Sequence, residues 1–163
     1  MRIVVLCLLG LTLFVSACLK KEEGCEPVTM NKTAPSSEEQ ELTTYLTTNG
    51  INATKHGSNM YYQIMNMGTG DHPQYCSQIH VSYSGTLTNG TVFEQNNDIY
   101  LKSWILIDGW KIGLPLIKKG GRIKLYIPPT LGYGATARKD MQGNIVIPAN
   151  SILIYDITLH DFQ

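Results

Sequence analysis

Charge is scarce in this 163-residue chain and balanced, with 13 Lys and Arg against 13 Asp and Glu. A net charge of zero leaves no electrostatic footprint for nucleic acid. The four histidines are scattered, and the cysteines show none of the short ligand spacings that metals use. No metal site is therefore implied. HExxH, a paired-carboxylate motif and a local Ser/His/Asp signature are all missing, so the chain offers neither a metal centre nor a recognisable nucleophile. Gly132 to Ala137 fits the dinucleotide pattern GxGxxA. That motif must join a strand directly to a helix. Here Pro128-Pro129 stands in front, Gly143 and Pro148 follow closely, and the helix has no room. No cofactor is expected.

What is present begins with an apolar run, Ile3 to Val15, behind the single early positive charge of Arg2. A helix of about 15 residues reaches about 22 Å at 1.5 Å per residue, short of the roughly 30 Å hydrocarbon core. Residues 1–17 are therefore expected to be an export signal rather than a membrane span. Val15-Ser16-Ala17-Cys18 resembles the lipobox of bacterial lipoproteins, which implies lipidation of Cys18 and a membrane anchor through it. Leu19 follows, then Lys21-Glu22-Glu23, which resembles outer-membrane sorting in Gram-negative bacteria, on the periplasmic side or the cell surface. Residues 18–36 are polar and aperiodic and read as a flexible tether. With Cys7 removed in the signal and Cys18 acylated, Cys25 and Cys76 remain. Export supplies an oxidising compartment. The two either form a disulfide or stay as thiols, and their Cα separation decides which.

About 145 residues follow the signal, enough for one domain with a core. Ser37-Glu38-Glu39-Gln40 is a capping-box pattern, and Leu42, Tyr45 and Leu46 follow at helical spacing before Gly50. They predict a helix over 37–48 within a lead-in of residues 37–57, its narrow apolar stripe suited to the domain edge or a partner. The domain proper spans 58–163. Tyr61 to Met65 reads as a strand. In Ile79 to Ser84 the period of two sets Ile79, Val81 and Tyr83 against His80, Ser82 and Ser84. His80 then faces solvent as a structural residue. Thr88-Asn89-Gly90 is a hairpin signal that returns Phe93 beside Tyr83. Ile99 to Leu101, Arg122 to Ile127 and Ile152 to Leu159 read as further strands. One helix starts at Trp110 and runs to about Lys118 with Trp110, Leu114 and Ile117 on one face, and Pro115 requires it to be short or bent. The pattern is α+β: mainly antiparallel sheet with one helix on its concave side.

Tyr83-Ser84-Gly85, Phe93-Glu94, Asp108-Gly109-Trp110 and Leu131-Gly132-Tyr133-Gly134 together resemble the FKBP-type peptidyl-prolyl isomerases over residues 58–163. The resemblance implies an FKBP-like half-wrapped antiparallel β-sheet around one short α-helix, here preceded by the short N-terminal helix. It implies a proline pocket with Trp110 as floor, Tyr83, Phe93 and Tyr155 as walls, and Leu106 and Ile107 completing one side. The Ile107 N–H and the Tyr133 hydroxyl would hold substrate carbonyls, and Ile147 would form the lip of an overhanging loop. Proline-containing polypeptide clients and the family's macrolide inhibitors are the implied partners, and assistance to the folding of exported proteins is the implied function. The chain departs from the family pattern in four places. Glu94 replaces the usual aspartate, and Tyr155 a frequent phenylalanine. No aromatic between Glu94 and Leu101 supplies an extra wall, leaving Ile99 nearest. Residues 138–144 lengthen the loop and bring Arg138, Lys139 and Asp140 toward the rim. Glu94 and the missing wall support an alternative, a non-catalytic proline-peptide binding module.

Overall fold

The structure, a computed structural model, describes residues 24–163. The expected signal at 1–17 and the lipidation residue Cys18 lie outside them. Six antiparallel strands form the main sheet: β1 (Thr54–Lys55), β2 (Tyr61–Asn66), β3 (Gln78–Leu87), β4 (Val92–Lys102), β5 (Arg122–Ile127) and β8 (Leu153–Phe162), in the order β1-β2-β5-β8-β3-β4. Two short strands, β6 (Arg138–Lys139) and β7 (Ile145–Ile147), pair as a separate hairpin. The fold is α+β, a mainly antiparallel sheet with a short helix on its concave face, as the sequence pattern predicts. Alternation along β5 and β8 decides which side chains go where. Leu125 pairs with Tyr155 and Ile127 with Leu153 on the concave face, while Tyr126 pairs with Ile154 on the other.

Helix α2 (Asp108–Gly113) lies on the concave face and passes at Leu114 into a single 3-10 turn containing Pro115. The break follows from the proline, which has no N–H to give. Trp110, Leu114 and Ile117 are all buried. Gly109 and Gly113 let the helix settle onto β5, since a Cβ at either would stand 2.6 Å from Ile127 or Leu125.

Helix α1 (Ser36–Thr48) packs Leu42 and Leu46 on Tyr126 and Ile154, covering the opposite face of the sheet rather than its edge. The capping box does not form. Pro35 precedes the helix without a side-chain cap, and Glu38 instead accepts from the Thr130 N–H at 2.8 Å and the Thr130 hydroxyl at 2.6 Å. Residues 24–35 also differ from a free tether. Cys25 is bonded to Cys76 with Cα atoms 5.6 Å apart, Met30 and Ala34 pack on the core, and Lys32 pairs with Asp108 at 2.8 Å. Ala34 donates its N–H to Ser58 and accepts from the Asn59 amide. These are single, aperiodic contacts, which is why a polar composition concealed them. β4 runs unbroken through the polar residues between Phe93 and Ile99, where two separate pieces were expected.

Candidate proline-binding site

The site is built where β3, β4 and β8 lie side by side. Gly85 pairs with Glu94 on one flank and with Tyr155 on the other, so the two outer side chains face each other across a residue that has none. The register shifts between Gly85 and Thr86, whose partners are Glu94 and Val92, leaving Phe93 as an extra residue on β4. Such a bulge re-aims side chains. It turns both Phe93 and Glu94 inward, which a period of two forbids. Phe93 therefore sits over Gly85 and edge-on to Tyr155, with ring centroids 5.6 Å apart, rather than beside Tyr83.

Four aromatic rings interlock. Trp110 meets Tyr83 at 5.1 Å and 88°, and Tyr155 at 5.2 Å and 85°. Edge-to-face contacts of this kind hold rings in defined orientations. Above Trp110 opens a cavity of about 260 Å³ lined by the expected Tyr83, Glu94, Leu106, Ile107, Trp110, Tyr133 and Tyr155. Leu101, Ile105 and Arg138 complete it. The wall sought at Ile99 comes from Leu101 and Ile105. Ile99 pairs with Val81 and packs into the core. Leu101 shares its period-two face, a signal the sequence carried, whereas Ile105 belongs to an aperiodic 3-10 turn (Ser103–Ile105). Two expected residues do not line the cavity. Phe93 stands behind Tyr155, and Ile147, 4% exposed, is drawn into the core while its hairpin partner Arg138 takes the lip.

The polar groups are few. The Tyr155 hydroxyl donates to the Glu94 carboxylate. Burial pushes the Tyr155 phenol far up, and the Glu94 charge adds to it, so the hydroxyl stays a donor. Tyr83 and Tyr133 are also raised, first by burial and then by Glu94. The Ile107 carbonyl accepts from Trp110 and Lys111, while its N–H donates to no backbone carbonyl among the described residues. Asp108, opening α2, is held by Lys32 and Lys111. No group of three or more metal-ligating side chains occurs among the described residues.

A sheet closed over one short helix, with an indole at the base of an aromatic cavity, is the arrangement that the resemblance implies. The family model for the FKBP-type peptidyl-prolyl cis-trans isomerases matches residues 70–160. The chain is 43% identical over 117 residues to the FKBP-type peptidyl-prolyl cis-trans isomerase FkpA of Buchnera aphidicola subsp. Schizaphis graminum, covering 68% of this chain and 43% of that protein. It is 36% identical over 118 residues to FkpA of Escherichia coli strain K12, covering 70% and 41%. The crystal structure of Escherichia coli FkpA superposes with a TM-score of 0.66 at 31% identity, over 78% of this chain and 60% of that one. The chain thus spans about two fifths of the length of these curated relatives. It belongs to the FKBP-type peptidyl-prolyl cis-trans isomerase family.

Proposed function

We propose that this protein is a peptidyl-prolyl cis-trans isomerase that assists the folding of exported proteins. The observation that carries the reading is the buried Trp110 at the base of a cavity walled by Tyr83 and Tyr155. Rotating a peptide C–N bond meets a barrier of about 18–20 kcal/mol from amide resonance. The twisted state has a less polar carbonyl and a more pyramidal nitrogen, and a dry apolar pocket favours it. A thousandfold acceleration requires about 4 kcal/mol. Desolvation plus one or two hydrogen bonds, each about 0.5–1.5 kcal/mol net, can supply that without an acid or base. Trp110 carries the proline ring, Tyr83 and Tyr155 flank it with Phe93 as backing, and Leu106 closes one side. The Ile107 N–H and the Tyr133 hydroxyl hold substrate carbonyls, Ile147 fixes the root of the lip, and Glu94 supplies fixed negative charge beside Tyr83. Macrolide inhibitors of the family compete for the same cavity.

In this reading residues 1–17 direct export, Cys18 carries the lipid anchor, residues 18–36 and 37–57 lead in, and residues 58–163 are the isomerase domain, held at the outer membrane of a Gram-negative envelope. The Cys25–Cys76 bond suits an oxidising compartment, and the Gram-negative relatives support the location. Loss of labelled fatty acid in Cys18→Ser tests the anchor.

The decisive experiment is the cis-to-trans rate of an X-Pro peptide with soluble residues 24–163. Trp110→Leu should retain the fold by circular dichroism and lose at least about tenfold in kcat/KM, about 1.4 kcal/mol, with a smaller loss in Tyr133→Phe. Proline-peptide binding without acceleration by the folded wild type makes the domain a non-catalytic binding module instead, the role that capture of Glu94 by Tyr155 favours.

A further inference from the structure

Arg138 is the charged residue of the cavity to which the proposed isomerase chemistry gives no role. It lines the mouth, and its guanidinium carbon stands 4.8 Å from the centre of the Tyr133 ring. Cation–π stacking of this kind holds the planar group in place while its edge N–H donors stay open. Its backbone is fixed as well, because it opens β6 and pairs with Ile147, whose side chain is buried. Among the described residues Arg138 forms no ion pair. The neighbouring carboxylates are occupied. Asp140 accepts from Gln142 and Asn144 within its own turn, and Glu94, the other charge in the cavity, accepts from Tyr155. The cavity is therefore negative on its inner wall and positive at its mouth, with Lys139 adding a second cation one residue on.

We propose that Arg138 is a specificity determinant that selects client prolines having a carboxylate side chain next to them in sequence. The inference rests on the proline pocket proposed above. A chain whose proline sits on Trp110 and whose carbonyl is held by the Tyr133 hydroxyl, as proposed above, passes the guanidinium stacked on that ring, which brings the adjacent side chain to it. Its flat fork of donors matches a carboxylate better than a neutral or cationic side chain.

The test uses the full chain in detergent with two peptide series, carrying Glu, Leu or Lys immediately before or immediately after the proline. In at least one series kcat/KM for Glu should exceed that for Lys by about two- to fivefold at low salt, the range of an exposed charge pair. The ratio should approach one at high salt and in Arg138→Gln, and invert in Arg138→Glu. Glu-to-Lys ratios that Arg138→Gln leaves unchanged in both series overturn the proposal even if every peptide is turned over. If wild type does not accelerate even the Leu peptides, the isomerase reading fails instead. Binding of the same peptides, followed by tryptophan fluorescence, then decides: a Glu preference lost in Arg138→Gln upholds the inference, and its absence overturns it.

Discussion

Glu94 and Tyr155 act as a pair. Each departs from the family pattern, one by an added methylene and the other by an added hydroxyl, and the hydroxyl donates to the lengthened carboxylate across Gly85. Tyr155→Phe should destabilise by about 1–3 kcal/mol, because a half-buried carboxylate loses its donor. Glu94→Asp should destabilise too, by pulling the acceptor away. In the double variant the losses should be less than additive, as expected for residues in contact; denaturant unfolding that finds simple addition refutes the pairing. Gly85→Ala attacks the same joint. Its Cβ would lie 2.7 Å from the Phe93 ring and 2.9 Å from Tyr155, so a loss of about 1–3 kcal/mol is expected from overpacking, together with weakened peptide binding. Both substitutions stood out in the sequence, yet their pairing did not. It depends on the register of three strands and on one bulge, neither of which local pattern encodes.

Elements with a clean period were legible. Arg122 to Ile127 is the strand read from alternation, and Pro115 ends α2 as its chemistry demands. The β6–β7 hairpin was not, since strands of two and three residues carry no periodicity. Its order comes from the turn, where Asp140 accepts from the Gln142 N–H, the Asn144 N–H and the Asn144 amide. These bonds, with that of the Asn144 side chain foremost, hold the Asp140 carboxyl below the usual carboxylate range. A carboxyl depressed on folding supports structure fully above its unfolded pKa of about 3.9 and loses that support as pH falls through the lower folded value. Asp140→Ala at neutral pH should therefore reproduce what strong acid does to wild type: faster amide exchange at Gln142 and Asn144, with the main sheet unaffected. Equal protection in the variant and wild type would show that β-pairing alone orders the hairpin.

At the scale of the whole molecule, tyrosines set the alkaline limit. Burial, followed by Tyr45 and Asp156, pushes Tyr126 up to about 12, and Tyr83, Tyr133 and Tyr155 are raised as well. Above the unfolded tyrosine pKa of about 10 the unfolded chain releases protons that the folded one keeps, so stability falls with rising pH. Thermal melts should be flat in this respect up to about pH 10 and then drop until the folded phenols ionise. In Tyr126→Phe the drop should be shallower. The N-terminal segment was the least legible large feature, because its attachments at Cys25, Met30, Lys32 and Ala34 are isolated points in a polar stretch. They bear on the proposed anchor. Under the lipidation of Cys18 proposed above, attachment of the chain first at residue 36 would allow a reach of about 60 Å, whereas attachment at Cys25 limits it to at most about 25 Å. The bond to Cys76 would thus set the reach of the proposed anchor. Reduction alone would leave Met30, Lys32 and Ala34 attached, so the reach of that proposed anchor would grow to roughly twelve residues, at most about 43 Å, rather than to the full length of the segment.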